Sequence, residues 1–380
     1  MHSLGTKIDS VLAKSNIPHL TYDLDAIVSE FSSVASTPPG QDEYMAACYN
    51  ATTYLLQNDT DVQSLINEVI HQRDISTKHF INLYYRAIQY IELYERRNRE
   101  YPQKYTTTAS WKKELRSILT EDRKKFKDIL LRYSTTSTIY QRYIGAHAIL
   151  AALYPKQELT IADFGCGGNY GLRGMDIQEP FEKFMDDTPG DFIEELIREP
   201  IRFRKGLAVD IQNPYDVEIT RWRLACSFYP SELVDKLPKI LALEKRLTKS
   251  KNVEFILGDL RTLPVGTSTI PLHQTDAVIM STLCYQMPDS QKQVLETANK
   301  MLRAEGVIII QDFAVKDKKA PHQLNFTVDW HGKPFSYRNF ITGPKFNWEM
   351  YEILQWNNGR CTQVRPGEDY TLIRPANSPL

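Results

Sequence analysis

Ile161-Ala162-Asp163-Phe164-Gly165-Cys166-Gly167-Gly168 is an apolar run that stops at an acid and opens into glycines. A run of this kind reads as a buried strand delivering a loop at the start of a helix. Glycine permits positive φ and lets a ligand approach the backbone closely. In open α/β sheets, ligands sit beyond the carboxyl ends of the strands. The segment is therefore one wall of a binding site. Outward from it, further apolar strands are expected at Leu159–Phe164, Gly206–Ile211, Val253–Leu257, Ala277–Met280 and Gly306–Ile310. Helical periodicity fills 215–247 and 289–303 between them. Continuous apolar strands alternating with helices indicate a parallel sheet covered on both faces.

The chemistry of the loop narrows the ligand. A dinucleotide fingerprint needs G-x-G-x-x-G, but counting from Gly165 the third glycine position holds Tyr170. The lysine of a phosphate-binding P-loop is missing as well. Asp163, directly before the loop, would repel phosphates and attract a cation. An apolar strand, an acid and then G-x-G resembles motif I of class I S-adenosylmethionine-dependent methyltransferases, whose cofactor carries an ammonium and a sulfonium.

The resemblance implies a seven-stranded, mostly parallel, Rossmann-like α/β methyltransferase sheet whose last strand is antiparallel. It carries the cofactor contacts onto Asp163, Gly165, Cys166 and Gly167 in the loop. Asp210, followed by Ile211, falls where an acid holds the ribose diol. Asp259, followed by Leu260, falls where an acid faces the adenine amino group. Ser281 and Thr282 open the loop after the fourth strand. Residues upstream of motif I commonly line the methionine end, which adds Tyr133, Tyr140 and Arg142. Taken one at a time, the acids also read as helix N-caps, and the 133–143 segment as a polar loop. Two departures stand out. Asn169 occupies the place of a third glycine, although asparagine tolerates the left-handed region. Gly167 and Asp210 are separated by 43 positions, longer than the family's usual spacing, so 169–205 is an insertion rich in acids.

A narrower resemblance concerns an uncharacterised bacterial family, domain of unknown function 2332. It rests on the helical N-terminal half, on Tyr133-Ser134-Thr135-Thr136-Ser137-Thr138, on Asp210-Ile211-Gln212-Asn213-Pro214-Tyr215-Asp216-Val217 and on Arg221-Trp222. It implies the same core and adds no substrate.

Catalytic candidates are Tyr285, His331 and Tyr140. Tyr285 could touch the acceptor or act as a base, against the plainer reading of a packed aromatic at a strand end. His331, beside Trp330, could be a general base at a hairpin tip; a His-Gly-Lys turn is also an ordinary solvated turn.

Two zones divide the chain. Residues 1–132 form an expected all-helical domain, with three- and four-residue apolar steps at Tyr44–Ile70, Thr77–Arg97 and Trp111–Tyr133. Residues 133–380 form the methyltransferase domain, with a hairpin at about 323–341 and a final edge strand at Tyr370–Ile373. The helical domain is expected to lie over the carboxyl edge of the sheet.

Composition bounds the partners. The 380 residues are 42 % hydrophobic and 24 % charged, with a net charge of −1, which argues against a general attraction to nucleic acid or anionic lipid. The basic stretch from Arg96 to Arg132 reads as the wet face of helices. Five cysteines without C-x-x-C spacing argue against a zinc site and fit a cytoplasmic protein. Neither a signal peptide nor a membrane-length apolar run is expected. The expected activity is in-line methyl transfer from S-adenosylmethionine to a small-molecule acceptor, with no metal. The alternatives are an RNA or protein methyltransferase, for which the N-P-P-Y signature is missing, and an inactive methyltransferase-like binding module.

Overall fold

The computed structural model describes residues 24–73, 77–136, 139–188, 191–313, 315–316, 324–325 and 337–373. The chain forms two compact units, each assembled from separate stretches of sequence. Of the described residues, one comprises those of 139–214 and 244–373, and the other those of 24–136 and 215–243.

The helical unit contains α1 (Leu24–Ser36), α2 (Glu43–Asn58), α3 (Thr60–His71), α4 (Thr77–Tyr90, continued by a π turn at Ile91–Glu95), α5 (Thr108–Glu121) and α6 (Arg123–Arg132). Their starts follow from local chemistry. Asp42 accepts the Met45 N–H, Asp59 those of Asp61 and Val62, and Thr107 that of Ser110, satisfying amides the helix itself cannot. The apolar stripes converge on an aromatic core in which Trp111 meets Tyr85, Tyr101 and Tyr105. Burying such side chains contributes roughly 1.5–3 kcal/mol each. A segment far along the sequence, α10 (Val217–Cys226), joins this core. Arg86 and Gln89 of α4 donate to the carbonyls of Ala225 and Phe228, and Trp222 donates to the Ser134 carbonyl at 2.9 Å.

The second unit is a mixed α/β structure with a parallel-rich sheet. Its strands are β1 (Glu158–Phe164), β2 (Met185–Asp186), β3 (Arg202–Asp210), β4 (Val253–Leu257), β5 (Thr275–Ser281), β6 (Leu302–Phe313), β9 (Tyr337–Thr342), β10 (Tyr351–Trp356) and β11 (Gln363–Pro366), in the order β2-β11-β10-β9-β6-β5-β1-β3-β4. A short pair, β7 (Val315–Lys316) and β8 (Leu324–Asn325), stands apart. All five strands expected from apolar runs are present as β1, β3, β4, β5 and β6, and they pair in parallel. Alternate residues fill two cores. Ile161, Ile279, Val307 and Ile309 face one way, and Ala162, Phe164, Val278, Met280, Ile308 and Ile310 face the other. Double burial is why these strands read as continuous apolar runs.

The sheet has nine strands rather than the expected seven. After β6 the chain makes an antiparallel meander through β9, β10 and β11. The insertion then supplies β2, which pairs in parallel with β11 at the far edge. Tyr370–Ile373 is a 3-10 turn, not an edge strand. The outer side of β11 is already taken by β2, and Asp369 exchanges backbone and side-chain hydrogen bonds with Glu352, turning the chain inward so that Ile373 is buried. The hairpin expected around His331-Gly332-Lys333 falls mostly outside the described residues. Its described ends pair elsewhere, Leu324–Asn325 with β7 and Tyr337–Thr342 with β6 and β10.

Helices α7 (Ile144–Leu153), α8 (Gly171–Asp176), α9 (Phe192–Arg198) and α12 (Gln291–Met301) complete this unit, and α11 (Leu233–Leu247) spans the boundary between the units. No described helix is long and apolar enough to cross a membrane.

Candidate functional site

The carboxyl ends of β1, β3, β5 and β6 place Asp163, Asp210, Ser281 and the pair Gln311-Asp312 along one rim of the sheet. The chain leaves β1 pinned to its neighbour. Gly165 and Cys166 both donate to the Val209 carbonyl, at 2.9 and 3.2 Å. The loop then takes left-handed backbone at Gly165 (φ 70°), Gly167 (φ 53°) and Asn169 (φ 53°), so asparagine does adopt the conformation that a third glycine would supply. Gly167 donates to Oδ2 of Asp210 at 2.9 Å, and Gln212 donates to Oδ1 at 3.0 Å. One carboxylate thereby ties the glycine loop to the end of β3. Burial raises the Asp210 carboxyl above its ordinary range, against the pull of these amides.

Asp163 is fully buried. Its Oδ2 accepts the Tyr143 phenol at 2.8 Å, while Oδ1 is buried without a hydrogen-bond partner. Burial, reinforced by the charge of Asp210, pushes its carboxyl up to about 8 against the Tyr143 bond. A carboxylate oxygen left in this state is costly unless something positive meets it. Tyr143 reaches it from a 3-10 turn, Tyr140–Tyr143, which packs on α8 through two glycines. A Cβ on Gly171 would lie 2.1 Å from the Tyr143 ring, and one on Gly174 2.1 Å from the Tyr140 ring.

The other residues named from sequence divide as follows. Cys166 is buried, and burial with the nearby Asp163 and Asp210 holds its thiol protonated, so only its backbone is available. Ile211 projects with 66 % exposure beside Asp210, an apolar surface at the mouth of the loop, whereas Leu260 is buried in the core. Asp259 is partly exposed and engaged by its neighbour Arg261 at 2.5 Å, which holds its carboxyl below the ordinary range. Ser281 lies 3.4 Å from the Tyr337 hydroxyl. Thr282 is left-handed (φ 54°) and donates its N–H to Gln311 O at 2.8 Å.

Tyr140 stacks on Phe181 at 4.6 Å, and burial drives its phenol well above the ordinary range. Tyr285 meets Phe313 edge-on at 5.6 Å, with its phenol pushed up to about 12 by burial and by Asp312. Arg142 donates to the Gly359 carbonyl at 2.8 Å. Tyr133 belongs to the helical unit, where it stacks on Trp222 at 5.2 Å. His331 and Trp330 lie outside the described residues.

Sequence reasoning missed Tyr143 and Asp312. Tyr143 carried a usable signal, since Tyr140 and Tyr143 stand one turn apart just before a helix. Asp312 was visible only as the acid ending a strand. It is fully buried and pushed up to about 7 by burial, against its hydrogen bonds from the Tyr285 and Phe313 amides. Among the described residues no group of histidine, cysteine and acidic side chains could hold a metal ion.

No family model matches the chain, nor does any curated protein. The narrower resemblance to the uncharacterised bacterial family is therefore not confirmed. Solved structures that match part of the chain include a 1,6-didemethyltoxoflavin-N1-methyltransferase from Burkholderia thailandensis with 1,6-didemethyltoxoflavin and S-adenosylhomocysteine bound. It is 15 % identical over 63 % of this chain and 68 % of its own, with a TM-score of 0.25. A phosphoethanolamine N-methyltransferase from Haemonchus contortus is 16 % identical over 44 % of this chain and 28 % of its own, with a TM-score of 0.26. The [4+2]-cyclase SpnF is 14 % identical over 47 % and 46 %, also at 0.26. In three of the matching structures, the phosphoethanolamine N-methyltransferase among them, the chain spans 52 %, 55 % and 28 % of the neighbour's length. Scores of this size carry no argument about function.

Proposed function

We propose that this protein is an S-adenosylmethionine-dependent methyltransferase that acts on a small-molecule acceptor. The observation that supports it is the unpartnered, fully buried Oδ1 of Asp163, set beside a left-handed glycine loop at the carboxyl edge of a parallel sheet. The residues present fit the cofactor. Asp163 offers a buried carboxyl that a cationic group would draw into its ionised form, the loop glycines offer close backbone approach, Asp210 offers a carboxylate suited to a diol, and exposed Ile211 offers an apolar face. When bound, S-adenosylmethionine supplies an already activated methyl group, so the chain's main contribution is alignment.

The described tyrosines are suited to hydrogen-bond donation rather than to proton abstraction. Tyr285 keeps its proton up to about pH 12, and Tyr140 is sealed under Phe181. Acceptor chemistry then falls to the rim above β5 and β6, where Tyr285, Phe313 and Arg142 gather.

Calorimetric titration of the purified protein with S-adenosylmethionine tests the reading, with Asp163→Ala and Asp210→Ala alongside. Micromolar binding lost in both folded variants supports it. No heat and no thermal stabilisation at millimolar cofactor would overturn it in favour of a methyltransferase-like binding module.

A further inference from the structure

The loop after β5 is held from behind. Oδ2 of Asp312 accepts the Tyr285 N–H at 3.1 Å, and its other oxygen accepts the Phe313 N–H at 2.8 Å. Tyr285 sits in the 3-10 turn Cys284–Gln286, and Gln291 braces that turn by donating to Cys284 O at 2.7 Å. One residue ahead of the turn, Leu283 lies on the glycine loop. A Cβ on Gly165 would come within 2.8 Å of a Leu283 methyl. Gly165 is left-handed at that point; its N–H is tied to the Val209 carbonyl on the β3 side, and Leu283 meets it on the β5 side. The carboxylate thus acts through one turn of backbone onto the wall of the glycine cradle.

We propose that Asp312 is a positioning residue for the cofactor site: its bond to the Tyr285 amide holds Leu283 against Gly165 and sets the width of the cradle. The proposal rests on the cofactor reading above. Asp312 touches neither cofactor nor acceptor in this role. Its work is to hold the β5 side of a left-handed loop whose β3 side is already tied to Val209 and Asp210. Fixing a loop before binding spares the ligand the cost of ordering it.

The test uses the full chain, S-adenosylhomocysteine as the calorimetric probe, and Asp312→Asn, Leu283→Ala and the double variant. Each single variant should weaken binding by about tenfold, the size expected for one buried charge-assisted hydrogen bond or one apolar contact. Because the two act in series, the double variant should lose no more than twofold beyond either single one. Wild-type affinity in Asp312→Asn, or a double loss equal to the product of the single losses, would overturn the proposal.

A spectroscopic signature separates positioning from general support. The Tyr285 amide proton should titrate between pH 6 and 8 in the wild type and not in Asp312→Asn. The other groups facing Asp312 are Arg142, the Cys284 thiol, the Tyr285 and Tyr337 phenols and, across the ladder, Arg338. Burial keeps that thiol and both phenols protonated through this window. An amide resonance indifferent to pH would count against the carboxylate.

If the wild type does not bind S-adenosylhomocysteine, the cofactor reading fails and hydrogen exchange decides the positioning by itself. Faster exchange at 282–287 and 165–168 in Asp312→Asn, with 158–164 unchanged, supports it. Unchanged exchange at 165–168, or loosening of the whole strand, overturns it.

Discussion

The phenol of Tyr143 donates to Oδ2 of Asp163 across 2.8 Å inside a fully buried setting, and leaves Oδ1 of the same carboxyl without a partner. One oxygen is anchored and the other is held in reserve. The anchor opposes burial, which otherwise drives the Asp163 carboxyl upward. Tyr143→Phe removes the anchor at nearly constant volume. The expected cost is about 1–3 kcal/mol of stability for a buried acceptor losing its donor. S-adenosylmethionine affinity should also fall by about tenfold near pH 7, since one pKa unit of further rise makes ionisation that much harder. Recovery of affinity above pH 9 would identify the carboxyl as the cause. Unchanged affinity at pH 7 would mean that the bond only fills space.

Gly171 and Gly174 let the two tyrosines lie on α8, and alanine at either position meets a buried ring at 2.1 Å. Overpacking of this kind costs about 1–3 kcal/mol. The two variants should nevertheless differ. Gly171→Ala displaces Tyr143 and therefore Asp163, so it should lower both the thermal midpoint and cofactor affinity. Gly174→Ala displaces Tyr140, stacked on Phe181, and should lower the midpoint alone. Equal effects on affinity would sink the distinction.

Much of this is legible in the amino-acid sequence. The strands at the centre of the parallel sheet could be read because burial on both faces leaves uninterrupted apolar runs, as in Ala277–Met280, where every residue is buried. The glycine loop could be read because its acid and its glycines have distinct jobs. The rest depended on partners that sequence does not display. Strand β2 is two residues long, too short for any periodicity. The segment 215–243 was recognisably helical, but its membership of the helical unit rests on bonds donated by Arg86 and Gln89 and on the Ser134 carbonyl that accepts from Trp222, all far away in sequence. Tyr140 was named from sequence and Tyr143 was not, yet it is the Tyr143 ring, lying over Gly171, that reaches Asp163.

Two buried acids set the expected pH dependence of the sheet unit. Asp163 is pushed up to about 8 and Asp312 to about 7, whereas both titrate near 4 in the unfolded chain. Glu92, pushed up to about 7 chiefly by burial, adds a third such group in the helical unit. Between about pH 4 and these raised values the folded state binds more protons than the unfolded one. Stability contributed by these groups is therefore fully present below about pH 4 and is lost as pH rises toward 8, by up to about 1.4 kcal/mol per pH unit for each group. Urea midpoints measured from pH 5 to pH 8 should fall in the wild type. The slope should flatten in Asp163→Asn and again in Asp312→Asn. A wild-type profile that rises across this window would contradict the burial argument.

Arg86 tests the discontinuous helical unit. Its buried guanidinium on α4 donates to the carbonyls of Ala225 and Phe228, and it lies 5.3 Å from the centre of the Tyr229 ring. The Ala225 carbonyl lies in the last turn of α10, where the helix has no internal donors left, and Phe228 follows just past its end. Gln89 shares both acceptors, at 2.6 and 3.2 Å. Arg86→Ala strips the planar donor fork and leaves a void beside Tyr229, so a loss of about 2–4 kcal/mol is expected. Arg86→Lys keeps the charge but not the fork, and should recover only part of that loss. The location of the damage is the sharper readout. Exchange should quicken in 217–229 and in α4 together, while β1 and β5 stay protected. Damage confined to α4 would show that 215–243 holds its place without these bonds. Damage that reached the sheet first would show that the segment is held by the other unit.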